Sequence, residues 1–193
     1  MTISQRITNY HENSKHEGEF ILYWMTSARR SKRNFALQEA IREGNESQKP
    51  VIVVEALSLE HRWANDRSHT FVLQGMLDNR EALESSNVTY IPYVETQRGE
   101  GKGLLASFLE RAHLLFIDDY PTYLPKIITQ KSIELAKCKV RVVDSNGIIP
   151  IRLSERPFKT AYAFRRYMQK EIIEQLLNLP AEYPLQEATT LPI

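Results

Sequence analysis

Short runs of apolar side chains recur along the chain, and most are followed by a stretch in which apolar residues return every three or four positions. The first run, Phe20–Met25 (FILYWM), and the next, Val51–Leu57 (VIVVEAL), are almost unbroken by polar residues. Such continuity predicts strands covered on both faces, as in a parallel sheet. Three further runs, at residues 88–93, 114–117 and 139–144, predict three more strands. Pro92 assigns the third of the five to a sheet edge, because proline has no amide hydrogen for a neighbouring strand. Between and after the strands, helical spacing predicts helices over about residues 34–43, with Asn34 or Ser31 as cap, 68–83, 104–111, 124–137 and 158–179. Phe71, Val72, Met76, Leu77 and Leu83 form the apolar stripe of the second. Phe158, Tyr162, the stem of Arg165, Ile172, Leu176 and Leu179 form that of the last.

Strands alternating with helices predict an α/β fold, a three-layer Rossmann-like sandwich with a five-stranded parallel sheet in the order 3-2-1-4-5. Five strands are too few to close an eight-stranded α/β barrel. In that order the first and fourth strands are neighbours, and their carboxyl ends flank the point where a ligand is expected. Residues 1–18 lack a periodic apolar pattern and are expected to form a flexible arm. Residues 19–179 carry the α/β domain, and the proline-containing segment 180–193 has the composition of a linker-like tail.

The chain has 193 residues, 42% of them hydrophobic, enough to bury a sizeable core in one domain. Its 25 Lys and Arg nearly balance 24 Asp and Glu, leaving a formal charge of +1. Whole-chain attraction to nucleic acid is therefore not expected, and no strong nucleic-acid binding by the chain alone is predicted. No apolar run reaches membrane-spanning length, and the first nineteen residues lack the apolar core of a signal peptide. With one cysteine, Cys138, in an apolar setting, a reducing, cytoplasmic location is the simple expectation.

The densest local charge is Arg29, Arg30, Lys32 and Arg33, between the first strand and the helix that Asn34 opens. Such a loop suits phosphate or another small anion, because helix-terminal amides add to the cationic field. A solvated basic loop has the same composition. Asp118 and Asp119 end the fourth strand and suit either capping of the following backbone or a cation. Residues 95–103 carry three glycines but neither a P-loop nor a dinucleotide spacing. Trp24 reads as core, whereas Trp63 either stacks on a planar ligand or covers a groove. The five histidines show no zinc spacing, and no Gly-x-Ser-x-Gly elbow is present. No catalytic set emerges from these residues.

Several short motifs, in order, resemble the N-terminal α/β domain of class II DNA photolyases. Tyr23-Trp24-Met25 followed by Asn34-Phe35-Ala36-Leu37 resembles the family's opening strand, loop and helix, with Arg30 kept and Phe35 where Trp is usual. Arg67, Phe71, Leu73 and Gly75 resemble its Arg-led Phe-x-Leu-x-Gly helix. Asp118 with Pro121, Val143-Asp144, Ile149-Pro150, Ser154, Tyr162-Ala163 and Arg165 complete a set covering about residues 20–170. The chain departs from the family at Ser27-Ala28, where Arg-Asp is typical, and at Arg33, where an acid is common.

This resemblance implies an antenna-type domain associated with light-dependent repair of cyclobutane pyrimidine dimers. In the family, flavin adenine dinucleotide and damaged DNA are held by a separate helical domain. FAD is therefore not expected in this chain alone, and neither is repair. The resemblance implies a folate or deazaflavin light harvester near the domain interface. The cofactor-binding candidates are Arg29, Arg30, Arg33, Asn34, Glu55, Trp63 and Asp118, drawn from loop 26–33, region 55–63 and the fourth strand's end. The expected partner is a helical FAD-binding domain or partner chain. Alternatives are a nucleotide- or anion-binding protein of Rossmann-like fold and a protein-interaction module using the 158–179 helix.

Overall fold

A computed structural model describes residues 3–60, 64–154 and 157–192. Six strands form one sheet: β1 (Ile7–Tyr10), β2 (Phe20–Met25), β3 (Val51–Leu57), β4 (Val88–Val94), β5 (Ala112–Asp118) and β6 (Lys139–Val143). Five helices accompany them: α1 (Phe35–Ser47), α2 (Asp66–Glu84), α3 (Leu104–Leu109), α4 (Tyr123–Leu135) and α5 (Ala161–Leu176). The strand order is β1-β6-β5-β2-β3-β4. This is a six-stranded mixed sheet and not the expected five-stranded, all-parallel one: the five expected strands keep their 3-2-1-4-5 arrangement, and a sixth extends the order at one edge. The difference is β1, which lies antiparallel to β6 at one edge, Ile7 opposite Val143.

Part of the stretch expected as a flexible arm thus belongs to the sheet. Arg6 fastens it: its Nη1 donates to the carbonyls of Asp144 at 3.2 Å and Gly147 at 2.9 Å, and its guanidinium lies 4.2 Å from the Phe35 ring centroid. The other edge is β4, where Pro92 sits opposite Glu55 with its missing amide on the unpaired side of the ladder.

Alternation along the central strands divides the core into two layers. Ile21, Tyr23 and Met25 of β2 pack with α1 and the buried end of α2, while Phe20, Leu22 and Trp24 face Leu109 of α3 and Ile133 of α4. β2 and β5 are adjacent and parallel, Tyr23 beside Phe116 and Trp24 beside Ile117. Their carboxyl ends therefore open at the same edge of the molecule.

α1 runs past its expected end, because Gly44 lies inside it and lets the helix approach β3. A Cβ there would stand 2.5 Å from a Val51 methyl carbon. Two expected apolar stripes differ from the observed burial. In α2 only Met76, Asn79 and Leu83 are buried, and Phe71 is 77% exposed. In α5 only Gln175 is buried. Beyond α5 the chain returns over α1: Ala181 N donates to Gln38 Oε1 at 2.7 Å and Thr189 N to Asn45 Oδ1 at 2.9 Å. Asn87 Nδ2 donates to Ala188 O at 3.0 Å, so the segment read as a linker straps α1 to the start of β4. Among the described residues no helix is long and apolar enough to cross a membrane.

Candidate functional site

At the junction of β2 and β5 the sequence expectation placed a ligand, and the structure places Asp118. Its buried carboxylate accepts hydrogen bonds from Tyr23 Oη at 2.8 Å and from the backbone amides of Thr26, Ser27 and Ala28 at 2.9, 2.7 and 3.0 Å. Three successive amides converging on one carboxylate oxygen form a small anion nest, and the anion is supplied by the chain itself. Burial, and then the Asp118 charge, push the Tyr23 phenol well above its ordinary pKa, so it remains a donor. Asn34 completes the cluster. Its Nδ2 lies 2.9 Å from the carbonyls of Ala28 and Arg30 and 3.1 Å from Tyr23 Oη, while its Oδ1 caps α1 by accepting from Leu37 N at 3.1 Å.

The basic loop is similarly engaged. Arg29 Nη1 pairs with Glu55 Oε1 at 3.0 Å, its Nη2 donates to Ala56 O at 2.9 Å and its Nε to Thr26 O at 3.0 Å. Arg30 donates to the carbonyls of Arg33 and Ser145, each at 3.2 Å. Arg33, at a left-handed φ of 47°, pairs with Glu182 at 2.7 Å. Glu55 is buried and also accepts from Asn79 Nδ2 at 2.9 Å and Tyr90 Oη at 2.6 Å. Asp119 is drawn to Arg152 at 2.9 Å. Of the residues proposed from sequence, Asn34, Asp118 and the backbone of Arg30 thus form one cluster, together with Tyr23, which was not among them. Arg29 and Glu55 form a second beside it, and Trp63 lies outside the described residues. Among those residues no group of three or more His, Cys, Asp or Glu is placed to hold a metal ion.

A larger opening lies one strand over, at the carboxyl ends of β3 and β4. This cleft encloses about 360 Å³ and is walled by Trp24, Leu57, Tyr93, Leu104, Leu105 and Leu135. Ligand pockets commonly fall in the range of about 300–1,000 Å³. Trp24, expected as core alone, is 8% exposed and forms part of the wall. The aromatic and aliphatic lining suits a flat apolar ring, and Ser58, Glu60 and Lys102 add polar contacts.

Glu95 sets the shape of the cleft. It follows β4 directly and is 4% exposed. Its Oε2 accepts from Ser58 Oγ at 2.8 Å and Leu59 N at 2.6 Å, its Oε1 from Gly101 N at 3.1 Å. One carboxylate therefore ties the end of β3 to the glycine-bearing loop. Gly103, at φ 84°, then opens α3 in a conformation that a Cβ would strain. Sequence reasoning found neither a P-loop nor a dinucleotide spacing in residues 95–103 and missed Glu95. The available signal was an acid at the end of an edge strand, followed by Gly99, Gly101 and Gly103.

The amides of Gly101 and Leu59, then the Ser58 hydroxyl, hold the Glu95 carboxyl down to about 2. Because its pKa is lowered on folding, the carboxylate contributes fully above the ordinary carboxyl range, and this contribution is lost as pH falls toward 2. Amide exchange at Leu59 and Gly101 should therefore remain slow at pH 7 and accelerate, relative to the core strands, between about pH 4 and pH 2. In Glu95→Gln these amides should exchange faster at pH 7 and lose that acid transition. An unchanged transition in the variant would assign it to another group.

No protein-family model matches the chain. The deoxyribodipyrimidine photo-lyase of Methanothermobacter thermautotrophicus is 25% identical over 174 residues, which span 89% of this chain and 38% of that protein. The chain thus covers well under half the length of this curated relative. Among solved structures, a universal stress protein in complex with cAMP aligns with a TM-score of 0.40 and 13% identity, covering 67% of this chain and 100% of the other. A universal stress protein from Archaeoglobus fulgidus aligns with a TM-score of 0.38 and 14% identity, covering 65% of this chain and 44% of the other.

Proposed function

We propose that the chain is a photolyase-related N-terminal domain, serving light-dependent repair of cyclobutane pyrimidine dimers beside a helical, flavin-binding unit. In this reading the cleft at the ends of β3 and β4 holds a planar light-harvesting chromophore of the folate or deazaflavin class. The observation that carries the reading is the similarity to a photo-lyase over 174 residues, which includes the segments forming the cleft walls. The apolar cleft lined by Trp24 and Tyr93 supports a ring-shaped ligand. Helical packing against the chain is supported by Ile173, Leu176 and Leu177 in and just after α5, which are 69%, 47% and 83% exposed. The nucleotide alternative has less to rest on, because Arg29, Arg30 and Arg33 already have partners within the chain.

The test is to purify the chain gently, record its visible and near-ultraviolet absorbance, and identify the released small molecules by mass spectrometry. A folate or deazaflavin is the expected result; a nucleotide would overturn the chromophore assignment. Gly101→Val should reduce the bound chromophore at least tenfold without changing the far-ultraviolet circular dichroism. Even the first carbon of that side chain would stand 3.3 Å from the Tyr93 ring and narrow the cleft. Supplied with reduced flavin and light but no helical unit, the chain should leave dimers unrepaired; robust repair by it alone would refute the division of labour.

A further inference from the structure

A second cluster of basic residues lies far along the chain from the loop that drew attention in the sequence. From Lys159 to Lys170 the segment KTAYAFRRYMQK holds four cations and no acid, while the rest of the chain is net acidic. Residues 159–166 are all exposed. Arg29, Arg33, Arg42, Arg111, Arg141 and Arg152 all have carboxylate partners. Lys159, Arg165, Arg166 and Lys170 have none among the described residues. Like charges held along one stretch of helix repel one another, so an external polyanion would stabilise this arrangement.

Spacing and side-chain type narrow the choice of polyanion. Tyr162, Arg166 and Lys170 recur every four residues and so form one stripe along α5, with Arg165 flanking it. Tyr162 is 66% exposed, and the Arg166 guanidinium lies 5.9 Å from its ring centroid. We propose that the first ten residues of α5 are a contact surface for single-stranded nucleic acid, with Arg165, Arg166 and Lys170 meeting phosphates and the Tyr162 ring stacking on a base. Cations interleaved with an exposed ring are what a strand offering alternate phosphates and bases would engage. An acidic polypeptide would draw on the cations alone. Because the chain as a whole is close to neutral, the contact is local and its affinity modest. It is independent of the cleft and of any chromophore.

Fluorescence anisotropy of a fluorescein-labelled oligothymidine, titrated with the full chain, reads this directly. Neutralising about three phosphates of a single strand gives a slope of about −2 in log K against log salt. Binding should therefore weaken about fifteenfold when salt rises fourfold. The triple substitution R165E/R166E/K170E should abolish binding, whereas Arg111→Gln, at a paired cation elsewhere, should leave it unchanged. Tyr162→Ala should weaken binding at least fivefold while keeping the salt slope. All five positions are exposed, so circular dichroism should be unchanged in each variant. No salt-dependent binding, binding indifferent to the triple substitution, or displacement by polyglutamate at equal charge concentration would overturn the proposal. An unaffected Tyr162→Ala would do the same, because it would reduce the contact to charge alone.

Discussion

Asp118→Ala is expected to lower the free energy of unfolding by about 3–5 kcal/mol, because it strips the acceptor from a set of donors that water cannot reach freely. The carboxylate receives the amides of Thr26, Ser27 and Ala28 together with the Tyr23 hydroxyl. Alanine leaves all four without it, and loop 26–28 loses the group around which it turns. For a chain of this size the midpoint of thermal unfolding should fall by about 6–20 °C. Asp118→Asn keeps the volume and one acceptor oxygen but presents an amide to other donors, so it should recover less than half of the loss. Tyr23→Phe removes a single donor and should cost about 1–2 kcal/mol. Urea unfolding followed by circular dichroism would measure all three. A loss below about 1 kcal/mol for Asp118→Ala would show that the loop is held by other contacts.

The effect should reach α1 as well. Asn34 reads the same loop from the other side, with Nδ2 near the carbonyls of Ala28 and Arg30 and Oδ1 on the amide of Leu37. A loop released by Asp118→Ala therefore unsettles the helix cap, and exchange at Leu37 should rise with exchange at Ala28. The sequence departs from the photolyase pattern at Ser27-Ala28, within this turn. There the backbone amides take up Asp118, so the turn closes without a charged side chain at either position.

The central strands were legible because each is buried on both faces, and an unbroken apolar run such as Phe20–Met25 has few other places to go. β1 was not. Ile7-Thr8-Asn9-Tyr10 is short and half polar, and its pairing depends on β6 more than 130 residues later. Periodicity also predicted the existence of α2 and α5 better than their burial. An apolar stripe records that a surface is apolar, not what covers it, and Phe71 and Ile173 stand exposed. At the candidate site, charge was legible and pairing was not. Arg29 was visible as a cation, but Glu55, its partner, comes from the next strand. Glu95 carried no apolar or spacing signal, and its role emerges only when Ser58, Leu59 and Gly101 are brought to it by the fold.

The Glu55 cluster leads to an asymmetric prediction. Glu55 has a side chain 1% exposed and accepts from Arg29, Asn79 and Tyr90, whereas the Arg29 side chain is 28% exposed and also donates to two carbonyls. Removing Glu55 leaves donors stranded in the interior; removing Arg29 leaves a carboxylate that still holds two neutral donors. Glu55→Ala should therefore cost about 3–5 kcal/mol and Arg29→Ala about 1–2 kcal/mol. In the double variant the Arg29 charge is no longer stranded, so the combined loss should fall short of the sum by about 1–2 kcal/mol. Equal single losses, or strict additivity, would contradict the geometry. Alkaline pH gives a second reading of the same cluster. Burial, then the hydrogen bond to Glu55 and its charge, raise the Tyr90 phenol above its ordinary pKa. The unfolded phenol ionises near pH 10 while the folded one stays protonated, so stability should fall as pH rises above about 10. Glu55→Ala removes two of the three causes and should flatten that fall, and Tyr90→Phe should abolish the part due to this residue. If the alkaline loss were the same in all three proteins, its source would lie among the other groups that folding shifts upward, Tyr23, Tyr93, Tyr167 and Cys138.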